Sequence, residues 1–317
     1  MSQMANRSET FEFVLLCFPG LHQKFQILVS ITMFIVYIST LSANGIVVGL
    51  IILKEHLHQP MYMFIGNLAL SDLLFDTITL PKIIASYWSG DGNISFFGCF
   101  SQLFFVHYLA SVDIFIITLM AADRYIAICE PFRYATIVSQ KVTTIFCCAF
   151  WVLCTLPSAY ATLMALNASY CGRNNIYNCF CYSNVVYELA CSDVFSVRRN
   201  LLIISMSILF VPLAFIILSY IIIIKIICTS TSSDNWSKAF YTCTTHLFVI
   251  ALYFIPRVII YTSNWVKLNL NVDVRILILC LYSYTPHLVN PVIYCLRTKE
   301  IKSTLEKMLR MKFKLNN

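Results

Sequence analysis

Residues Met120 to Cys129 read MAADRYIAIC and set the triplet Asp123-Arg124-Tyr125 at the end of an apolar run that begins near Phe104. An arginine beside an aspartate at a membrane boundary is costly to hold there, so its presence points to a switch rather than to packing. Composition supports such a boundary. Of the 317 residues, 59% are hydrophobic and 12% charged, and the mean hydropathy is +0.76. A soluble domain of this size needs far more polar surface.

Outward from the triplet, hydrophobic stretches of about 20 residues or more, each long enough to cross a hydrocarbon core, run from about Phe25 to Leu53, Met61 to Ile84, Phe97 to Ile128, Val142 to Leu166, Arg199 to Ile227, Ala239 to Thr262 and Asp273 to Leu296. A lone apolar segment in lipid satisfies its backbone groups only as a helix. The expected fold is therefore an all-α membrane protein, a seven-transmembrane helix bundle over residues 25–296 with a short amphipathic C-terminal helix. Pro157, Pro212, Pro256, Pro286 and Pro291 fall inside the stretches, where a bundle tolerates them as kinks and places to bend.

Loop charge gives the orientation. Lys54, Arg124, Arg133, Lys141, Lys225, Lys238 and the basic tail from Arg297 to Lys314 gather on one side, which the positive-inside rule makes cytoplasmic. Residues 1–24 then lie outside and residues 297–317 form a cytoplasmic tail. Glycosylation sequons at Asn6, Asn93 and Asn167 fall on outer segments, whereas one at Asn235 is cytoplasmic and expected to be unused. The early apolar patch Phe13 to Phe18 is too short for a signal core and lacks a basic lead, so the first helix is expected to direct insertion. In the tail, Ile301, Leu305, Met308 and Leu309 share one side of an amphipathic membrane-surface helix. The net charge of +7 fits contact with membrane lipids and calls for no nucleic-acid partner.

Twelve of the 14 cysteines divide by place. Cys147, Cys148, Cys154, Cys228, Cys243, Cys280 and Cys295 lie in or beside helices, where a free cysteine behaves as a small apolar residue. Cys171, Cys179, Cys181 and Cys191 crowd the loop between the fourth and fifth helices, and Cys99 opens the third. These face an oxidising space, so disulfides are expected. The loop lacks the paired CxxC knuckles of a zinc cluster.

Further motifs stand in order on these helices. They are Asn44 on the first, PMY at Pro60 to Tyr62 and LALSD at Leu68 to Asp72, then MAADRYIAIC, Ser219-Tyr220, KAFYTCTTH at Lys238 to His246, and PHLVNPVIYCLRTKEI from Pro286 to Ile301. Over nearly its whole length the chain resembles the odorant receptors, within the rhodopsin-like G-protein-coupled receptors. It departs from that pattern at Ala122, where MAYDRY is the commoner form, and at Pro256, where many odorant receptors lack a proline. The RTKEI tail with Pro256 is similar to receptors of aquatic vertebrates, which detect water-borne odorants.

The resemblance implies a multi-pass plasma-membrane receptor with its amino terminus outside. It would bind a small odorant and activate a heterotrimeric G protein of the stimulatory, olfactory type, raising cyclic AMP. It also implies disulfides Cys99 to Cys181 and Cys171 to Cys191, leaving Cys179 either a free thiol or a competitor of Cys181. Another rhodopsin-like receptor for a non-amine small ligand is the alternative, with a membrane transporter behind it.

Buried charge carries the expected signalling chemistry, because a carboxylate in hydrocarbon must pair, protonate or bind a cation. Asp72 and Asp113 resemble an acidic pair at mid-bundle near Asn44 and Asn290, so a cation or proton site is expected there, sodium being the candidate ion. The plain alternative is polar packing between helices. Asp76, at i+4 from Asp72, can join the same network. Arg124 is expected to pair with Asp123 at rest and to turn toward the G protein on activation, beside Tyr125. Tyr220, His246, Asn290, Pro291 and Tyr294 complete the switch set, although a tyrosine such as Tyr294 is also common at a membrane interface.

The ligand is expected in the outer half of the bundle, against Val106, His107, Ala110 and Ser111 of the third helix. Val106 stands where the similar receptors for biogenic amines carry an aspartate, which argues against an amine. On the sixth helix Phe254, Arg257 and Tyr261 follow one face, and Arg257 could bind a carboxylate or other anion through its planar fork. It could instead snorkel to headgroups or pair with Glu188 or Asp193. Ile204, Ser205 and Ile208 on the fifth helix, with Leu279 and Tyr282 on the seventh, would complete the wall. An enzyme is not expected: serine-base-acid sets, HExxH, phosphate loops and dinucleotide fingerprints are missing, and eight glycines leave little room for them. A transporter should show repeated halves, and none are evident.

Overall fold

A computed structural model describes residues 12–229, 233–266, 270–297 and 300–307. The sequon at Asn6 and the tail residues Met308 and Leu309 lie outside the described residues. In chain order the elements are strand β1 (Glu12–Leu15), α1 (Gln23–Leu53), a 3-10 turn at Glu55–Leu57, α2 (Pro60–Ser89), strand β2 (Asn93–Ser95), α3 (Phe96–Cys129), α4 (Tyr134–Ile137), α5 (Gln140–Leu153), α6 (Thr155–Leu166), strand β3 (Asn175–Ile176), α7 (Ser183–Glu188), α8 (Phe195–Thr229), α9 (Ser233–Trp265), α10 (Val272–Arg297) and a last helix, α11, over residues 300–307.

Among the described residues, α1, α2, α3, the pair α5 and α6, α8 and α10 are long and apolar enough to cross a membrane, and α9 holds the shorter apolar stretch His246–Thr262. This is the seven-helix membrane bundle. The fourth span divides because Pro157 has no N–H to give the carbonyl of Leu153, where α5 ends. Local chemistry sets the ends of other helices: Ser95 accepts from the Gly98 amide at the start of α3, Pro60 opens α2, and Gly90, at φ 71°, ends it in the left-handed conformation. Apolar side chains such as Ile203, Val211 and Leu218 of α8 point out of the bundle, where lipid tails are as apolar as they are.

The outer end is less purely helical than expected. The Phe13 to Phe18 patch supplies β1, which pairs antiparallel with β2 and parallel with β3 in a three-stranded sheet. Phe13 is 0% exposed and stacks among Phe96, Phe100 and Tyr170. Disulfides join Cys99 to Cys181 and Cys171 to Cys191. A third joins Cys17 to Cys179, so Cys179 is neither a free thiol nor a competitor of Cys181. The correction arises from β1, which carries Cys17 back across the bundle mouth.

The inner end is closed by α11. Ile301 is fully buried and Leu305 packs against the same core as Leu50 and Leu57. Tyr62 donates to Glu300 at 2.9 Å, and Thr304 lies 3.1 Å from His56 Nε2. At these positions the apolar side of the tail helix is therefore covered by protein.

Candidate functional site

Between the outer halves of α3, α6, α8, α9 and α10 lies a cavity of about 100 Å³. It is small beside the roughly 300 Å³ at which ligand pockets usually begin, so an occupant is itself small or the walls spread to admit it. Its wall includes Val106, His107, Ala110, Ser111, Ile204, Ser205, Ile208, Arg257, Tyr261, Leu279 and Tyr282. Phe254 is not on it but is buried in the core with Val249 and Ile250. It sits three residues, about 4.5 Å, deeper than Arg257, which puts it below the floor.

Wall residues that the sequence reading missed include Phe75, Pro157, Phe180, Tyr182, Ser283 and His287. The Cys99–Cys181 disulfide could have revealed Phe180 and Tyr182, since it draws their loop over the mouth. That loop is also hydrogen-bonded from below. Gln102 accepts from the Cys181 amide at 2.8 Å, and the Ser183 amide donates to His107 Nε2 at 3.2 Å.

Arg257 is 5% exposed. It does not snorkel, and its charged partner is neither Glu188, which pairs with Arg275 at 3.2 Å, nor Asp193, which caps Phe195. Its Nη2 stands 3.8 Å from Asp113 Oδ2, Nη1 donates to the Ala110 carbonyl at 3.5 Å, and the guanidinium lies over the rings of Tyr253 and Tyr282 at 5.4 and 5.8 Å. Pro256 stands next to it within α9, and buried Asp113 faces it from α3.

Beneath the cavity is a polar cluster. Tyr253 donates to Asp72 Oδ1 at 2.8 Å, while Asn290 Nδ2 donates to Asp72 Oδ2 at 3.1 Å and to the Tyr253 hydroxyl at 2.7 Å. His287 joins Asp76 through Nδ1 at 2.7 Å and faces Asp72 Oδ1 through Nε2 at 3.3 Å. Asn44 enters indirectly, donating to the His287 carbonyl at 3.0 Å. Among the described residues, neither Asp113 oxygen has a hydrogen-bond partner. Sequence reasoning missed Tyr253 and His287. His287 was visible in principle, since an imidazole three residues before Asn290 shares its helical face.

At the inner end, Asp123 Oδ2 lies 3.6 Å from Arg124 Nη2, and Arg124 also contacts the Met61 sulfur. The Tyr134 hydroxyl of α4 donates to Asp123 Oδ1 at 2.7 Å. Burial, together with that carboxylate, raises the Tyr134 phenol well above its usual value, so it remains a donor. Tyr125 is partly buried beside this pair. Tyr220 pairs with His246 Nδ1. Pro291 is buried, and so is Tyr294, whose hydroxyl has no hydrogen-bond partner among the described residues. Asn93 and Asn167 are exposed at the outer end.

Comparison with known proteins finds relatives over nearly the whole chain. A family profile described as "Olfactory receptor" matches residues 33–312. Human olfactory receptor 4K2 is 35% identical over 308 residues, covering 96% of this chain and 95% of its own. Mouse olfactory receptor 1E16 is 34% identical over 313 residues, 98% of each chain, and gorilla olfactory receptor 1D2 is 33% identical over 311 residues, again 98% of each.

Proposed function

Because the chain belongs to the olfactory receptor family, a family of odorant-type G-protein-coupled receptors and not of enzymes, we propose that it binds a small anionic odorant in the cavity beside Arg257 and activates a stimulatory, olfactory-type G protein to raise cyclic AMP. The chain is a multi-pass membrane protein; in this reading it resides in the plasma membrane with its amino terminus outside.

The observation that carries the reading is the position of Arg257. It lines the cavity and faces Asp113 of α3, and it lies over Tyr253, whose hydroxyl reaches Asp72 and Asn290. An anion that draws the guanidinium upward weakens its hold on Asp113 and disturbs the contact between α9 and α3. That α3 also carries Asp123 and Arg124 at its inner end gives the disturbance a direct course to the G-protein face, where Arg124 turns out and Tyr125, Tyr220, His246, Asn290, Pro291 and Tyr294 rearrange. The separation of 3.8 Å leaves the guanidinium without a close hydrogen bond to Asp113 and so with donors to offer.

The same reading gives Asp72 and Asp113, with Asn290 beside them and Asn44 behind, a cation, sodium being the simplest. The oxygens of Asp113, buried without a hydrogen-bond partner among the described residues, support it.

The test is a screen of small organic acids against neutral odorants on the wild type and Arg257→Ala. Hydrogen bonds to charged groups contribute about 1.5–3 kcal/mol, so acids should lose roughly 10- to 100-fold in potency while neutral agonists hold theirs. Acids that activate both proteins equally would overturn the anionic ligand. Arg124→Ala should abolish agonist-dependent cyclic AMP, and ligand flux that survived that change would favour a transporter.

A further inference from the structure

We propose that Asp72, Asp113 and His287 form a binding site for a divalent transition cation, zinc in the first place, with Asp76 holding the imidazole in its ligating orientation. The proposal rests on the reading of this region as a cation site and specifies its chemistry. One ligand atom from each of the three residues lies within 4.8 Å of the others, and all three side chains are buried.

The arrangement of His287 is the first reason. Its Nδ1 is 2.7 Å from Asp76 Oδ1. An Nδ1–H donated to that carboxylate leaves the Nε2 lone pair aimed at the opposite side, where Asp72 Oδ1 stands 3.3 Å away. A carboxylate behind a histidine is the arrangement that fixes tautomer and ring direction in metal-binding imidazoles. Two ligands at about 2.1 Å from a tetrahedral ion stand roughly 3.4 Å apart, so the observed spacing of Nε2 and Oδ1 already suits one ion between them.

Charge is the second reason. Asp72, Asp76 and Asp113 carry three carboxylates, and Arg257 supplies one guanidinium. With a neutral imidazole the cluster keeps a net charge of minus two, which a dication cancels and a monovalent ion does not. Unpaired acceptors are the third. Both oxygens of Asp113, Asp76 Oδ2 and Asn290 Oδ1 are buried without a hydrogen-bond partner among the described residues, and buried acceptors of this kind carry a cost that a cation relieves. A nitrogen and two carboxylates favour zinc-like ions, whereas sodium, magnesium and calcium prefer oxygen alone. His287 also lines the outer cavity, so the cluster adjoins that space.

The experiment uses the full-length receptor reconstituted in lipid nanodiscs, with ZnCl2 as the probe at fixed NaCl. Bound metal is counted by elemental analysis after dialysis, and thermal unfolding is followed across the titration. The expected result is a saturable rise in Tm with one zinc per chain more than His287→Gln retains. Asp76→Asn should weaken zinc 10- to 100-fold yet reach the same stoichiometry at saturation. Replacing the loop histidines in His56→Gln and His58→Gln should change neither value. Should His287→Gln fail to fold, the wild type loaded with Co2+ decides: visible bands of a four-coordinate nitrogen-oxygen site support the proposal, and an all-oxygen octahedral spectrum overturns it. Zinc retained in full by His287→Gln overturns it too. Stabilisation by sodium but not zinc overturns the dication and leaves a monovalent site standing, whereas a response to neither removes both.

Discussion

Tyr134 shows how one side chain outside the helix bundle can act on the switch. Its hydroxyl reaches Asp123, which would otherwise share its charge with Arg124 alone at 3.6 Å. Tyr134→Phe removes the donor and keeps the ring, and we expect a rise in basal cyclic AMP with no loss of agonist potency. Unchanged basal activity would show that Tyr134 only packs. The sequence announced Asp123 and Arg124 through the oddity of charge in an apolar run, but it gave no hint of Tyr134, because a tyrosine in a short polar loop is unremarkable until the loop folds back. His287 was hidden differently. An imidazole within a helix is compatible with core packing, and only the approach of Asp72 and Asp76 from α2 turns it into part of a charged cluster.

Among elements, β1 does the most with the least. Its residues make strand pairs on both edges and end beside Cys17, whose disulfide to Cys179 bridges a separation of 162 residues. A crosslink over a long separation restrains the unfolded chain, commonly by about 2–4 kcal/mol. Cys17→Ser should therefore lower the Tm of the purified receptor and expose Cys179 to thiol reagents on unfolding; an unaltered Tm would mean that the sheet and the other two disulfides hold the lid unaided. Phe13→Ala should cost about 3–5 kcal/mol by leaving a cavity among three aromatic rings. Neither β1 nor its pairing was legible locally. Six apolar residues are too few to show a period, and a strand is defined by its partners, here separated from it by whole helices. The long helices were legible, since a run of apolar residues has one backbone solution in lipid.

At the scale of the whole molecule, the cavity, the buried acids and the Asp123–Arg124 pair lie in succession from the outer end of the bundle to the inner. That order makes orientation testable. Asn93→Gln and Asn167→Gln should each remove one glycan and shift the receptor in a gel, while Asn235→Gln should not; a glycan at Asn235 would invert the topology.

Sequence alone determined the class of fold, the number of spans and the family, because a membrane leaves an apolar segment few choices and because motifs fixed in order along the helices identify their neighbours. It also named eleven residues of the cavity wall, since helical spacing sets which side chains share a face. Depth and partnership were decided by the tertiary structure. Phe254 dropped below the floor, Arg257 turned to Asp113 instead of the loop acids, Cys179 found Cys17, and His287 met two carboxylates. Each depends on how far one helix is rotated and slid against another, and residues far apart in the chain fix that by packing. Local periodicity carries no record of it.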